Sequence, residues 1–201
     1  MSQKALAHFK KADPLLYSAY KNIKQLQVLK NRKGNDYFVD LIDAIVSQQL
    51  SGKASETIFN RLRTLFKNGK ITPEGILKLK DEKIRSAGLS YSKIKYIKDL
   101  SSHVKSKQIN LNSLNDLQDE EVVEKLVQVK GIGKWTAEMF LIFTLKRPDV
   151  FSYGDLGLKN AIKKIYKLTN YDQKSLEKIV SKWSPYKSTA ALILWRSLDN
   201  R

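Results

Sequence analysis

The chain contains no cysteine, which excludes disulfides, thiolate zinc sites, iron–sulfur clusters and cysteine nucleophiles together. It lacks any run approaching the roughly 18 consecutive apolar residues that a membrane span needs. Its opening, "MSQKALAHFKKADPLL", has neither a long apolar segment nor a small-residue cleavage pattern, which speaks against a secretory signal. An intracellular protein fits these absences best. Histidine is scarce as well, and His8 and His103 stand alone along the chain and read as surface or filling residues. Alternating apolar runs of strand type are nearly missing. Acidic residues are outnumbered, 20 Asp and Glu against 37 Lys and Arg, for a net charge of +17. So basic a balance points to a polyanionic partner.

What is present sharpens this. Residues 61–107 hold thirteen basic and four acidic side chains, whereas 111–124 hold five acidic and no basic ones. Hydrophobic residues make up 42% of 201 positions, enough for one domain or two small lobes sharing a core. The apolar period is helical. "YFVDLIDAIVSQQL" places Phe38, Leu41, Ile42, Ile45 and Val46 on one face, and "GKASETIFNRLRTLF" repeats the pattern with Ala54, Ile58, Leu62, Leu65 and Phe66. Thr72 reads as an N-cap with Pro73 in the first turn behind it. "SYSKIKYIKDLSSHV" carries Ile94, Ile97 and Leu100 on one face, and "DEEVVEKLVQV" opens with acids, as a helix N-terminus favours. Three further helices read from "DLGLKNAIKKIY", "QKSLEKIVSKW" and "KSTAALILWRSL". The expected class is all-α, with about ten short helices.

The stretch "VQVKGIGKWTAEMFLIF", 127–143, interrupts two of these helices with a glycine turn. A Walker-type phosphate loop requires four residues between its first glycine and a contiguous Gly-Lys-Ser/Thr; here Lys134 is followed by Trp135. A dinucleotide fingerprint fails for want of a third glycine and a βαβ setting. Two readings survive. The turn is an ordinary bend, or the N–H groups around Gly131, Gly133 and Lys134 at the start of the second helix hold a phosphate, with Lys134 adding charge.

About twenty residues on, "RPDVFSYGDLGLKNAI" sets Asp155 at the start of another helix. Here the chain resembles the helix-hairpin-helix superfamily of DNA glycosylases, in its alkylated-base branch, 3-methyladenine DNA glycosylase II. Four segments carry the resemblance: "AIVSQQLS", "GLSYSKIKYIKDLS", "LVQVKGIGKWTAEMFLIF" with "FSYGDLGLKNAI", and "WSPYKSTAALILW". They run in the family's order and cover most of the chain from about residue 38.

The resemblance implies that Asp155 is the catalytic carboxylate, stabilising an oxocarbenium-like sugar and orienting water. As an N-cap, Asp155 can also serve the helix that follows it. Trp135 stands where lyase-competent relatives carry a Schiff-base lysine, which implies a monofunctional enzyme that leaves an abasic site. Trp135, Trp195, Gln48, Met139 and Tyr153 are the implied base-pocket residues, electron-rich indoles suiting a cationic alkylpurine. Gln49 matches the position that fills the gap left by an extruded base, although a relative has an apolar wedge there. The implied DNA contacts are Gln49, Ser51, Lys130, Gly131, Gly133, Lys134, Thr136, Lys187 and Ser188. Backbone carbonyls of Val127, Val129 and Ile132 match a structural Na+ or K+ site at the hairpin, and no further cofactor is implied.

The expectation is therefore one glycosylase domain, 1–201, without the added N-terminal α/β domain of some relatives. One lobe spans about 39–147 and the other about 1–38 with 148–201, around a basic cleft. The expected partner is double-stranded DNA with alkylated bases, bound by a monomer away from membranes, in the cytoplasm and nucleoid or in a nucleus. The alternatives are a non-catalytic DNA clamp and a glycosylase for another damaged base.

Overall fold

The computed structural model describes residues 2–23 and 36–199. Among them are twelve α-helices and two short 3-10 turns, with no strand, so the all-α expectation holds. The helices are α1 (Gln3–Ala12), α2 (Pro14–Lys21), α3 (Tyr37–Ser47), α4 (Gly52–Thr64), α5 (Pro73–Lys78) and α6 (Asp81–Ser86). They continue with α7 (Tyr91–Lys105), α8 (Asp119–Leu126), α9 (Lys134–Phe143), α10 (Leu156–Ile165), α11 (Gln173–Ser181) and α12 (Lys187–Asp199). No described helix is long and apolar enough to cross a membrane. The described residues sort into two compact units, 36–145 and 2–23 with 146–199.

In the unit of residues 36–145, the stripe read on α3 is the stripe that is buried: Phe38, Leu41, Ile42, Ile45 and Val46. Burying each side chain of this size contributes about 1.5–3 kcal/mol, against about 1 kcal/mol for a cap. Packing, more than local propensity, therefore seats α3. Ile94, Ile97 and Leu100 of α7 are likewise buried. Thr72 accepts the Gly75 N–H at 3.1 Å and starts α5. Gln118 and Glu121 close a reciprocal capping box on α8, whose first turn carries Asp119, Glu120 and Glu121.

The face of α4 differs from the sequence reading. Its buried residues are Ser55, Phe59 and Leu62, and the helix ends at Thr64, so Leu65 and Phe66 lie beyond it. The chain turns sharply just after, with Asn68 at φ 56°. Phe66 then packs beside Gly75, where an added Cβ would lie 2.9 Å from its ring.

The other unit gathers α1, α2, α10, α11 and α12 around Phe9, Leu16, Leu158, Ile162, Leu176 and Trp183. Asp13 is the polar centre of this core. Its carboxylate caps α2 by accepting the Leu16 N–H at 3.2 Å, and it also accepts the Trp183 indole N–H at 2.9 Å and the Tyr166 hydroxyl. Burial, and then the hydrogen bond and charge of Asp13, hold the Tyr166 phenol far above its ordinary pKa.

Candidate active site and nucleic-acid interface

The hairpin between α8 and α9 is built on two glycines that do different jobs. Gly131 has φ 84°, and a Cβ added there would fall 2.2 Å from Cδ2 of Tyr96. It needs glycine twice over, for its backbone and for the ring beneath it. Gly133 sits at φ −90° as the N-cap of α9, and a Cβ there would meet nothing within 4 Å. Its side is open, and it offers no side chain to cap α9, whose N-terminus carries the positive end of the helix dipole. Asp99 of α7 accepts the Lys130 N–H at 2.9 Å and fixes the turn's entry. The Val129 carbonyl accepts the Ile132 N–H at 3.0 Å; a carbonyl has a second lone pair. Among the described residues no group of three or more His, Cys, Asp or Glu side chains could hold a metal.

Lys130 and Lys134 are exposed, and the Lys134 ammonium lies 3.9 Å from Glu138. Trp135 is 47% exposed, unusual for an indole in a helix. Met139, one turn on, is half-buried on the same side. Thr136, in contrast, is only 5% exposed.

The "SQQLS" segment forms a tight turn after α3. Gln48 has φ −51° and ψ 130°, Gln49 has φ 58°, and the Leu50 N–H returns to the Ser47 carbonyl at 3.2 Å. These are the marks of a type II turn, whose third residue is ordinarily glycine or asparagine. A glutamine held in the left-handed region costs about 1 kcal/mol or more, strain of the kind that gathers at functional sites. Gln49 and Ser51 are exposed. The Gln48 side chain turns inward instead, donating to the Gly131 carbonyl at 2.8 Å and to the Thr136 hydroxyl at 3.3 Å. Gln48 thus stitches this turn to the hairpin, and the Thr136 hydroxyl is engaged on the inner side.

In the other unit, Asp155 is the N-cap of α10 and 8% exposed. Its Oδ1 accepts the Leu158 N–H at 2.8 Å and the indole N–H of Trp195 at 3.1 Å. Gly157 makes that approach fit: an added Cβ would lie 3.1 Å from Asp155 Oδ1 and 3.3 Å from Trp195 Cδ1. The carboxyl therefore caps its helix and pairs with an indole at once. Neither the Trp195 bond nor the role of Gly157 is visible in the sequence, where the partners stand forty residues apart. Tyr153 packs edge-on to Phe151 with ring centroids 5.0 Å apart. Its phenol is pushed up by burial and then by Glu177 and Asp149.

Two expected phosphate contacts have internal partners. The Ser188 hydroxyl donates to the Arg147 carbonyl at 2.6 Å and accepts the Val150 N–H at 3.0 Å. Its own N–H goes to the Pro148 carbonyl at 3.0 Å. With 6% exposure Ser188 presents nothing to a ligand. Lys187 places its N–H and its ammonium on Asp149, at 3.2 and 3.1 Å. A serine and a lysine at a helix start suit a phosphate equally well as sequence; here the segment before α10 has claimed them.

The family model for HhH-GPD superfamily base excision DNA repair proteins matches residues 42–185. The chain belongs to this superfamily. Among curated HhH-GPD relatives, DNA-3-methyladenine glycosylase 1 of Schizosaccharomyces pombe is 37% identical over 163 residues, spanning 80% of this chain and 72% of that relative. The DNA-3-methyladenine glycosylase of Saccharomyces cerevisiae is 35% identical, spanning 96% of this chain and 78% of its own length. Among solved structures, the S. pombe 3-methyladenine DNA glycosylase in complex with abasic DNA matches with a TM-score of 0.83 at 34% identity, covering 96% of this chain and 95% of that one. A DNA-3-methyladenine glycosidase from Bacillus halodurans matches at 0.84 and 36%, covering 99% and 90%.

Proposed function

We propose that this chain is a monofunctional DNA N-glycosylase that extrudes alkylated purines such as 3-methyladenine and 7-methylguanine from duplex DNA and hydrolyses their N-glycosidic bond. Relatives at 35–37% identity bear the name DNA-3-methyladenine glycosylase, and this supports the substrate class. The observation that carries the reading is the Asp155 carboxylate, largely withdrawn from water and held on Oδ1 by a helix N–H and an indole N–H.

Alkylation at N3 or N7 leaves the purine cationic. When the bond to C1′ breaks, the purine takes the electron pair and departs neutral, so it needs little or no proton from the protein. The positive charge passes to the sugar, where a fixed carboxylate in a poorly solvated setting stabilises it. Water then bonds to C1′ and surrenders its proton, with Asp155 as the orienting base. A preset donor pair on Oδ1 limits reorientation of the carboxyl as charge develops. No lysine directly precedes Thr136; Trp135 stands there, which supports hydrolysis over Schiff-base chemistry.

In the same reading the N-terminus of α9, with Lys134 and Lys130, takes a DNA phosphate. Gln49, thrust out on its strained turn, fills the stack at the extrusion point. Trp135 and Met139 offer a soft, electron-rich face to a cationic base. The Val127, Val129 and Ile132 carbonyls remain the proposed seat of a monovalent cation, and the enzyme acts as a monomer.

The test is release of 7-methylguanine from methylated duplex DNA by the Asp155→Asn variant. The reading expects base release to vanish while binding to abasic-site DNA persists. Full turnover by Asp155→Asn would sink it. A wild-type protein that binds DNA yet never yields alkali-labile sites would leave a clamp without chemistry.

A further inference from the structure

The turn that carries Gln48 and Gln49 has an anchor on α7. The Lys93 ammonium donates to the Val46 carbonyl and to the Gln48 carbonyl, each at 2.7 Å. These oxygens lie at the C-terminal end of α3, where helical carbonyls lack intrahelical partners and carry the negative end of the helix dipole. Lys93 is half-buried, and its ammonium pKa is lowered by burial. A surface lysine would make no such commitment: ordering its long side chain costs rotamer entropy. Two short hydrogen bonds from a charged donor offset that cost.

The anchoring runs further. Gln48, fixed by Lys93 through its carbonyl, holds the Gly131 carbonyl and the Thr136 hydroxyl with its amide. Three residues beyond Lys93 on α7, Tyr96 lies under Gly131. Three residues further, Asp99 holds the Lys130 N–H. Lys93, Tyr96 and Asp99 share one face of α7 by their spacing. That face sets the register between the 47–50 turn and the glycine hairpin.

We propose that Lys93 is a positioning residue for base extrusion: by clamping the α3 end it keeps the turn in the left-handed geometry that presents Gln49. This inference rests on the glycosylase reading above. Lys93 touches neither base nor sugar and acts through the turn. Without the clamp the Gln49 backbone would relax from φ 58° toward ordinary dihedrals, and its side chain would swing away from the stack.

The experiment is single-turnover release of 7-methylguanine from two duplexes, one with the lesion paired to cytosine and one with it opposite an abasic-site analogue. Extrusion is cheapest where pairing is already lost, so a residue serving extrusion should matter less on the second. Lys93→Met is expected to slow release from the paired duplex by about 10- to 100-fold, the range for losing bonds from a charged donor. Its defect should shrink several-fold on the unpaired lesion. Lys93→Arg, which keeps charge and donors, should recover most of the rate. Lys93→Gln, neutral and shorter, runs alongside in case Lys93→Met does not fold, with an intermediate loss and the same dependence on pairing. Equal slowing on both duplexes, or no slowing on either, would overturn the inference. A wild-type protein that releases base from neither duplex would overturn the glycosylase reading itself, and the clamp with it.

Discussion

Asp155 and Trp195 show how one oxygen can be asked for two tasks. The helix N-cap and the indole bond share Oδ1, so the indole's position and the acid's are set together. Trp195→Phe keeps an aromatic ring but removes the N–H together with part of the indole's volume. Release of the base in a single turnover should fall by about 10-fold, the effect of one hydrogen bond to a charged acceptor, while affinity for abasic-site DNA stays near wild type. An unchanged rate would show that the indole N–H does not set the carboxylate. The capping place of Asp155 is legible in the sequence, as an Asp at a helix start, whereas its catalytic assignment comes only through the family resemblance. The inward turn of Ser188 and Thr136 is not. A hydroxyl's destination depends on which carbonyl packing brings within about 3 Å, and composition carries no trace of that.

At the scale of helices and turns, periodicity speaks plainly where one face is wholly buried. α3 and α7 bury the residues their sequence stripes mark. α4 does not, since Phe59 and Ser55 are drawn in while Ile58 stays half-buried. In a short helix with apolar residues on two adjoining faces, the neighbours choose the face, and they are distant in sequence. The hairpin gives a sharper case. Both glycines look alike as residues, yet only Gly131 is under constraint. Gly131→Ala should destabilise the protein by about 3 kcal/mol, combining left-handed strain with forced displacement of the Tyr96 ring. Urea unfolding would measure it, and a loss within about 0.5 kcal/mol, as for an unconstrained surface site, would show that Tyr96 swings aside at little cost. The glycine is readable; the ring under it, thirty-five residues earlier, is not.

For the molecule as a whole, the buried Asp13–Tyr166–Trp183 cluster ties stability to alkaline pH. The Tyr166 phenol is raised from its ordinary 10.0 in the folded protein, so above that value the folded state keeps a proton that the unfolded chain releases. The stabilisation is complete below about pH 10 and drains away as pH climbs toward the folded value. Tyr166→Phe should therefore flatten the fall in unfolding free energy between about pH 9 and 11, at the expense of some stability at neutral pH; an identical alkaline slope would mean that Tyr166 titrates normally. The same cluster has a consequence for biosynthesis. Asp13 and Trp183 are separated by 170 positions, so the unit that holds Asp155 cannot close until nearly the whole polypeptide has left the ribosome. Residues 36–145 emerge with their own packing partners already translated. The nascent protein thus completes its glycine hairpin before the unit that carries Asp155.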